Sequence, residues 1–129
     1  MSINLNSDWK DSSDCKNILN FGVNDFCYYY FYEQNNDSSL CYKLSNTGIY
    51  KTDNCLGKVT GNISYCDQLI DYKWDKENVD NDTRDFLKYN DRDSCVKDIA
   101  IKTHNSSLCE LTHKDFKSYC YDLYGIYTQ

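Results

Sequence analysis

The chain has 129 residues, 20 acidic and 14 basic, for a formal net charge of -6, with 13 Tyr, 8 Cys and no Pro. That length fits one domain or a short array of repeats, and the acidity excludes nucleic acid as a partner, because phosphate binding runs on basic patches that release counterions. No apolar stretch reaches the length of a membrane span, and the 40% apolar fraction leans on Tyr and Cys rather than aliphatic residues, so the core is thin.

Met1 leads directly into the polar run Ser2 to Asn6, without the apolar segment of a signal peptide. Eight cysteines favour disulfides and an oxidising compartment. The chain therefore reads as a mature exported domain, secreted or at the cell surface, given a start Met for expression; a native cytosolic protein is the other reading.

Beyond this start, two kinds of short helix alternate. The first kind begins Ser-x-Cys, over roughly 14–21, 40–46, 65–72 and 108–112. Ser13, Ser39, Ser64 and Ser107 stand two positions before Cys15, Cys41, Cys66 and Cys109, as N-caps would, and Glu110 completes a capping box with Ser107. The second kind spans roughly 24–34, 53–60, 92–103 and 115–124, with Cys27, Cys55, Cys95 and Cys120 in an early turn. Gly22, Gly48, Gly61 and Gly125 fall just past helical segments, where helices end on glycine. Residues 71–93 interrupt the alternation, hold Trp74, and predict one extra helix near 82–89. The expected fold is all-α: disulfide-stapled helical hairpin repeats packed as one compact or solenoid-like domain over 1–129, with 71–93 inserted.

The chain also repeats itself. NDFCYYYFYEQNNDSSLCYKL aligns with RDSCVKDIAIKTHNSSLCELT, both containing Ser-Ser-Leu-Cys. The spacing predicts connectivity. A ten-residue helix separates its ends by about 15 Å, while a disulfide needs Cα atoms within about 7 Å, so Cys95 cannot reach Cys109. Joining each Ser-x-Cys cysteine to the next helix gives Cys15–Cys27, Cys41–Cys55, Cys66–Cys95 and Cys109–Cys120. Each bond closing a loop of about 15 residues contributes about 3 kcal/mol, so four of them rival the net stability of a typical domain.

The segments Arg92 to Ala100, Asn105 to Leu111 and Ser118 to Tyr121 resemble the degenerate cysteine-containing helical repeats of uncharacterised, predicted exported archaeal proteins. The resemblance covers about a third of the chain well. It implies an exported helical scaffold and carries no catalytic residue with it.

Candidate chemistry is sparse. The cysteine gaps are too long for zinc knuckles and contain no Cys-x-x-Cys redox pair, although thiolates facing into a bundle suit copper or zinc. His104 and His113 both read as residues ending helices, where a cation favours the dipole; a small hydrolase built on either is the remaining enzymatic alternative. Asp80 to Asp85 alternates oxygen ligands but lacks the glycine and closing Glu of a calcium loop, and reads instead as the N-cap of a helix starting near Asp82. Sequons stand at Asn36, Asn62, Asn81 and Asn105, as glycan acceptors or simply as turn residues.

The run Tyr28, Tyr29, Tyr30, Phe31, Tyr32 wraps a helix completely. It serves either as core or as a recognition patch. Taking Cys27, Tyr30 and Phe31 as the inward face leaves Tyr28 and Tyr32 as an outer pair one turn apart, and these with Trp74 are the candidate binding residues. The function expected is a non-enzymatic, cofactor-free module of the cell exterior that binds protein or glycan or self-assembles. A thiolate copper or zinc protein is the alternative.

Overall fold

The computed structural model describes residues 9–47 and 50–129; the polar run from Met1 to Asn6 and the expected glycine stop at Gly48 lie outside the described residues. All regular structure within them is helical, as the sequence predicts. Four α-helices, α1 (Phe21–Asn35), α2 (Thr52–Thr60), α3 (Asn81–Thr103) and α4 (Lys114–Tyr127), are joined through five short 3-10 helices. These are named here for a central residue: the Cys15 turn (Ser12–Asn17), Cys41 turn (Ser38–Lys43), Cys66 turn (Ile63–Leu69), Trp74 turn (Tyr72–Lys76) and Cys109 turn (Ser106–Leu111).

The cysteine turns start two residues earlier than Ser-x-Cys suggests. Their N-caps are Asp11, Asp37, Asn62 and Asn105, whose side chains accept from the backbone N–H of Ser13, Ser39, Ser64 and Ser107. The serines are not the caps. Asp and Asn cap at least as well as Ser, and the hydroxyls of Ser13, Ser39 and Ser107 donate to the same capping oxygen. The capping box belongs to Asp11 and Asp14, whereas Glu110 accepts from the Tyr121 hydroxyl.

Helix ends also differ from expectation. Gly61 (φ 72°) does terminate α2, but α1 and α3 end on left-handed Asn36 (φ 50°) and His104 (φ 54°), while Gly22 and Gly125 lie inside α1 and α4. Asn enters the left-handed region at small cost, and a glycine within an exposed helix costs only about 1 kcal/mol. Each of these three helix-ending residues is followed at once by an Asx cap: Asn36 by Asp37, Gly61 by Asn62, His104 by Asn105. This two-residue junction reverses the chain from α-helix into cysteine turn.

The four disulfides join Cys15 to Cys27, Cys41 to Cys55, Cys66 to Cys95 and Cys109 to Cys120, the pairing the helix spacing predicts, with Cα atoms 5.5 to 5.7 Å apart. All eight cysteines are buried, and apolar side chains gather around them. Tyr28, Phe31, Tyr32, Leu40, Leu44 and Leu56 enclose the first two bonds, Val96 and Ile99 the third, Ala100 and Phe116 the fourth. Sulfur thus replaces the aliphatic core that the composition lacks.

Two buried carboxylates repeat one arrangement. Asp25 and Asp93 each precede a helix cysteine by two positions and are 0% and 2% exposed. Asp25 accepts from the backbone N–H (2.9 Å) and hydroxyl (2.7 Å) of Ser45, and Asp93 from the backbone N–H of His113 (3.0 Å), in both cases twenty positions on. Asp25, Cys27, Asn36, Asp37, Cys41 and Ser45 correspond to Asp93, Cys95, His104, Asn105, Cys109 and His113, always 68 positions apart. The carboxylate pins the chain leaving a cysteine turn back onto the helix before it.

The expected insertion is not a separate helix. α3 runs unbroken for 23 residues from its cap Asp80, so the segment predicted near 82–89 and the helix bearing Cys95 are one, and Cys95 stands mid-helix. Before it, Asp71 caps the Trp74 turn through the Lys73 N–H, as in the cysteine turns. At the position of the missing cysteine stands Asp75, which meets Lys88 of α3 at 2.8 Å. That pair spans thirteen positions, within the range of 11 to 14 of three of the disulfides. Arg84 adds hydrogen bonds to the carbonyls of Trp74, Glu77 and Val79. A charged clasp occupies the place of a fifth staple.

Candidate functional site

The expected aromatic recognition pair is core. Tyr28 and Tyr32 are 8% and 1% exposed, with Phe31 buried between them and Tyr29 and Tyr30 half-buried. Cys27 lies at one edge of the inward stripe, because its bond reaches sideways to the Cys15 turn, and Tyr28 lies nearer the centre. A buried helix face can exceed 100° in width, and this one takes in Asp25, Cys27, Tyr28, Phe31 and Tyr32. Trp74 is half-buried in its turn beneath Lys73.

A concave surface lies between α2 and α3, with α1 as one wall. Gly57 brings the helices together: a Cβ there would meet Ile99 Cδ1 at 2.9 Å. Beside this contact Asn54 Nδ2 donates to Asp98 Oδ2 at 3.2 Å, and Lys58 Nζ lies 3.9 Å from both Asp98 and Glu33. The Lys58 ammonium also donates to Tyr29 Oη and sits over that ring, 4.8 Å from its centroid. Tyr29 packs against Tyr50 at a 31° tilt, with centroids 4.5 Å apart. Lys97 meets Asp98 at 3.2 Å, and Lys102 donates to Asn36 Oδ1 at 2.9 Å and more weakly to Tyr32 Oη at 3.4 Å.

Two cavities, of about 420 and 580 Å³, share Lys58 and Asp98 in their walls and so form one groove. Tyr29, Tyr50 and Asn54 line the first; Lys97, Lys102 and Tyr127 line the second. Burial holds Tyr29 and Tyr32 well above the ordinary phenol range, reinforced by the negative charges of Glu33 and Asp98. The same burial pulls Lys102 below the ordinary lysine value, opposed by Glu33 and aided by the charge of Lys58. These titratable groups come from three helices and lie up to 73 positions apart in sequence. The only sequence signal is the polar stripe Asp91, Ser94, Asp98, Lys102 at helical spacing on α3.

The remaining candidates lie elsewhere. His113 does not end the Cys109 turn but is the N-cap residue of α4; its Nδ1 lies 3.0 Å from Asp93 and its ring stacks on Tyr89 at 3.9 Å. A cavity of about 140 Å³ beside it is walled by carboxylates and by Phe86 and Phe116, with no hydroxyl or thiol among its lining side chains. His104 is the exposed C-cap of α3. Asp80 caps α3 by accepting from Thr83, so the cap stands two residues before Asp82. All eight cysteines are bonded, leaving no thiolate to hold copper or zinc, and no cluster of His, Cys, Asp or Glu among the described residues is placed for a metal. The sequon residues Asn36, Asn62, Asn81 and Asn105 are all exposed and hydrogen-bonded through Oδ1, not through the nitrogen a glycan would occupy.

The molecule is thus a small, disulfide-rich, all-helical protein with a charged and aromatic groove. No family model matches the chain, and no curated protein or solved structure matches it. No helix among the described residues is long and apolar enough to cross a membrane, and four buried disulfides suit an oxidising environment.

Proposed function

We propose that the chain is a non-enzymatic binding module of the cell exterior, secreted or surface-held, with the groove between α2 and α3 as its recognition surface. The observation that carries this reading is the rigid mounting of the groove. Cys55 on α2 and Cys95 on α3 are each tied to a neighbouring turn by a buried disulfide, and Gly57 of α2 packs beside Cys95 and Ile99. Such a surface loses little conformational entropy on binding. Tyrosines in its walls offer large faces with polar tips, as recognition surfaces use. None of the four sequon residues lines either cavity, and a glycan on Asn36 would stand beside Lys102 at the groove's edge.

The test is intact mass after alkylation of the native and the reduced protein, made in an oxidising compartment. Eight alkyl groups are expected after reduction and none before. Alkylation of the native protein would remove the scaffold on which the reading rests.

A further inference from the structure

We propose that this groove binds a saccharide carrying a carboxylate, with the acidic sugar held at Lys102 and its neighbour lying against Tyr29 and Tyr50. The inference rests on the binding-module reading and gives it a ligand class.

Charge comes first. Lys58 and Lys97 both lie within ion-pair distance of Asp98, but the contacts of Lys102 are neutral, to Tyr32 Oη and Asn36 Oδ1. Among the described residues no carboxylate comes within ion-pair distance of it. Three lysines face only Glu33 and Asp98 in this cavity, which leaves one positive charge in a concave site on a chain of net charge -6. An anion placed there would supply the missing counter-charge, and charge-assisted hydrogen bonds are the strong ones.

The other half of the groove has a different character. Tyr29 and Tyr50, packed together at a 31° tilt, line this half with aromatic surface for the C–H face of a sugar, while Asn54, Ser94 and the Asp98 carboxylate provide donors and acceptors for hydroxyls. A free inorganic anion would use the lysines and leave these groups idle. An acidic peptide would be read by a cluster of basic side chains alone, whereas Tyr29, Tyr50, Asn54 and Ser94 add aromatic surface and hydroxyl partners that suit a sugar ring. The two cavities together fall within the size range of small-ligand sites, enough for a short oligosaccharide. The exposed ring of Tyr127 closes the basic end.

The experiment is titration of the oxidised full chain, followed by amide NMR and calorimetry, with a tetrasaccharide alternating glucuronate and N-acetylglucosamine. Chitotetraose, sodium sulfate and a poly-Glu peptide serve as comparisons at equal ionic strength. Saturable binding that shifts the amides of Asn54, Asp98 and Lys102 is expected. Lys102→Met should weaken it about tenfold, equal to 1.4 kcal/mol, whereas Lys102→Arg retains it, and Lys97→Gln gives a second, independent loss. The proposal is overturned by absent binding, by equal affinity for chitotetraose, by sulfate alone reproducing the shifts, or by tighter binding of the peptide. Absent saccharide binding with all thiols still blocked refutes this ligand class alone; free thiols in the native protein refute the scaffold reading beneath it.

Discussion

Replacing Asp25 tests the logic of the fold most directly. Its carboxylate is 0% exposed and accepts two hydrogen bonds from Ser45, one from the backbone and one from the side chain. Hydrogen bonds to a charged group contribute about 1.5 to 3 kcal/mol each. Ser45 is exposed, so water can recover part of that loss, and removing the buried charge returns some desolvation energy. Asp25→Ala should therefore cost about 3 kcal/mol, and Asp25→Asn, which keeps one acceptor oxygen, about half as much. Ser45→Ala removes only the hydroxyl and should cost about 1 kcal/mol. Urea unfolding of the oxidised protein, read by circular dichroism, gives these values as midpoint shifts at constant slope. Asp93→Ala should cost at least as much, because Asp93 also meets Arg92 at 2.9 Å and His113 Nδ1 at 3.0 Å. An Asp25→Ala protein within about 0.5 kcal/mol of the parent, the range of neutral surface changes, would refute the assignment of this carboxylate as the pin between cysteine turn and helix.

Further outcomes follow from the same contacts. Tyr32→Ala should cost about 3 to 5 kcal/mol as a core deletion, whereas Tyr42→Ala, at a 68% exposed position, should leave the urea midpoint nearly unchanged. Removing disulfides pairwise to serine should rank by loop length: about 3.6 kcal/mol for Cys66–Cys95, which spans 29 positions, against about 2.8 for Cys109–Cys120, which spans 11, in urea titrations of the two variants. Tyr29, Tyr32 and Tyr50 are raised above the usual value of 10.0 by burial. The folded state therefore keeps protons that the unfolded chain sheds; the contribution of these phenols to stability is full below about pH 10 and is lost as pH rises above it. Phenolate absorbance in a rapid alkaline titration should show these three ionising together with unfolding, after the exposed tyrosines.

The order of the disulfides was legible because it depends on distances along single helices, which the sequence spaces directly. Cap positions were off by two residues because Asp or Asn and Ser both suit an N-cap, and only the folded turn decides between Asp37 and Ser39. The face of α1 was misjudged by taking Cys27 as its centre, a choice that fails because the bond to Cys15 leaves the helix sideways. Of the groove, only the polar stripe on α3 from Asp91 to Lys102 is legible in the sequence. The rest depends on the approach of α2 to α3 at Gly57, and nothing near Lys58 in the sequence points to Glu33, Asp98 or Lys102.

The clasp between Asp75 and Lys88 gives the molecule two different sensitivities. A thiol reductant acts on the four cysteine turns and leaves the Trp74 hairpin untouched, since nothing there can accept electrons. Concentrated salt does the reverse, screening the ion pair while the sulfur bonds ignore it. The N-terminal half of α3 is therefore fastened to the turn before it by contacts that answer to the ionic composition of the medium rather than its oxidation state.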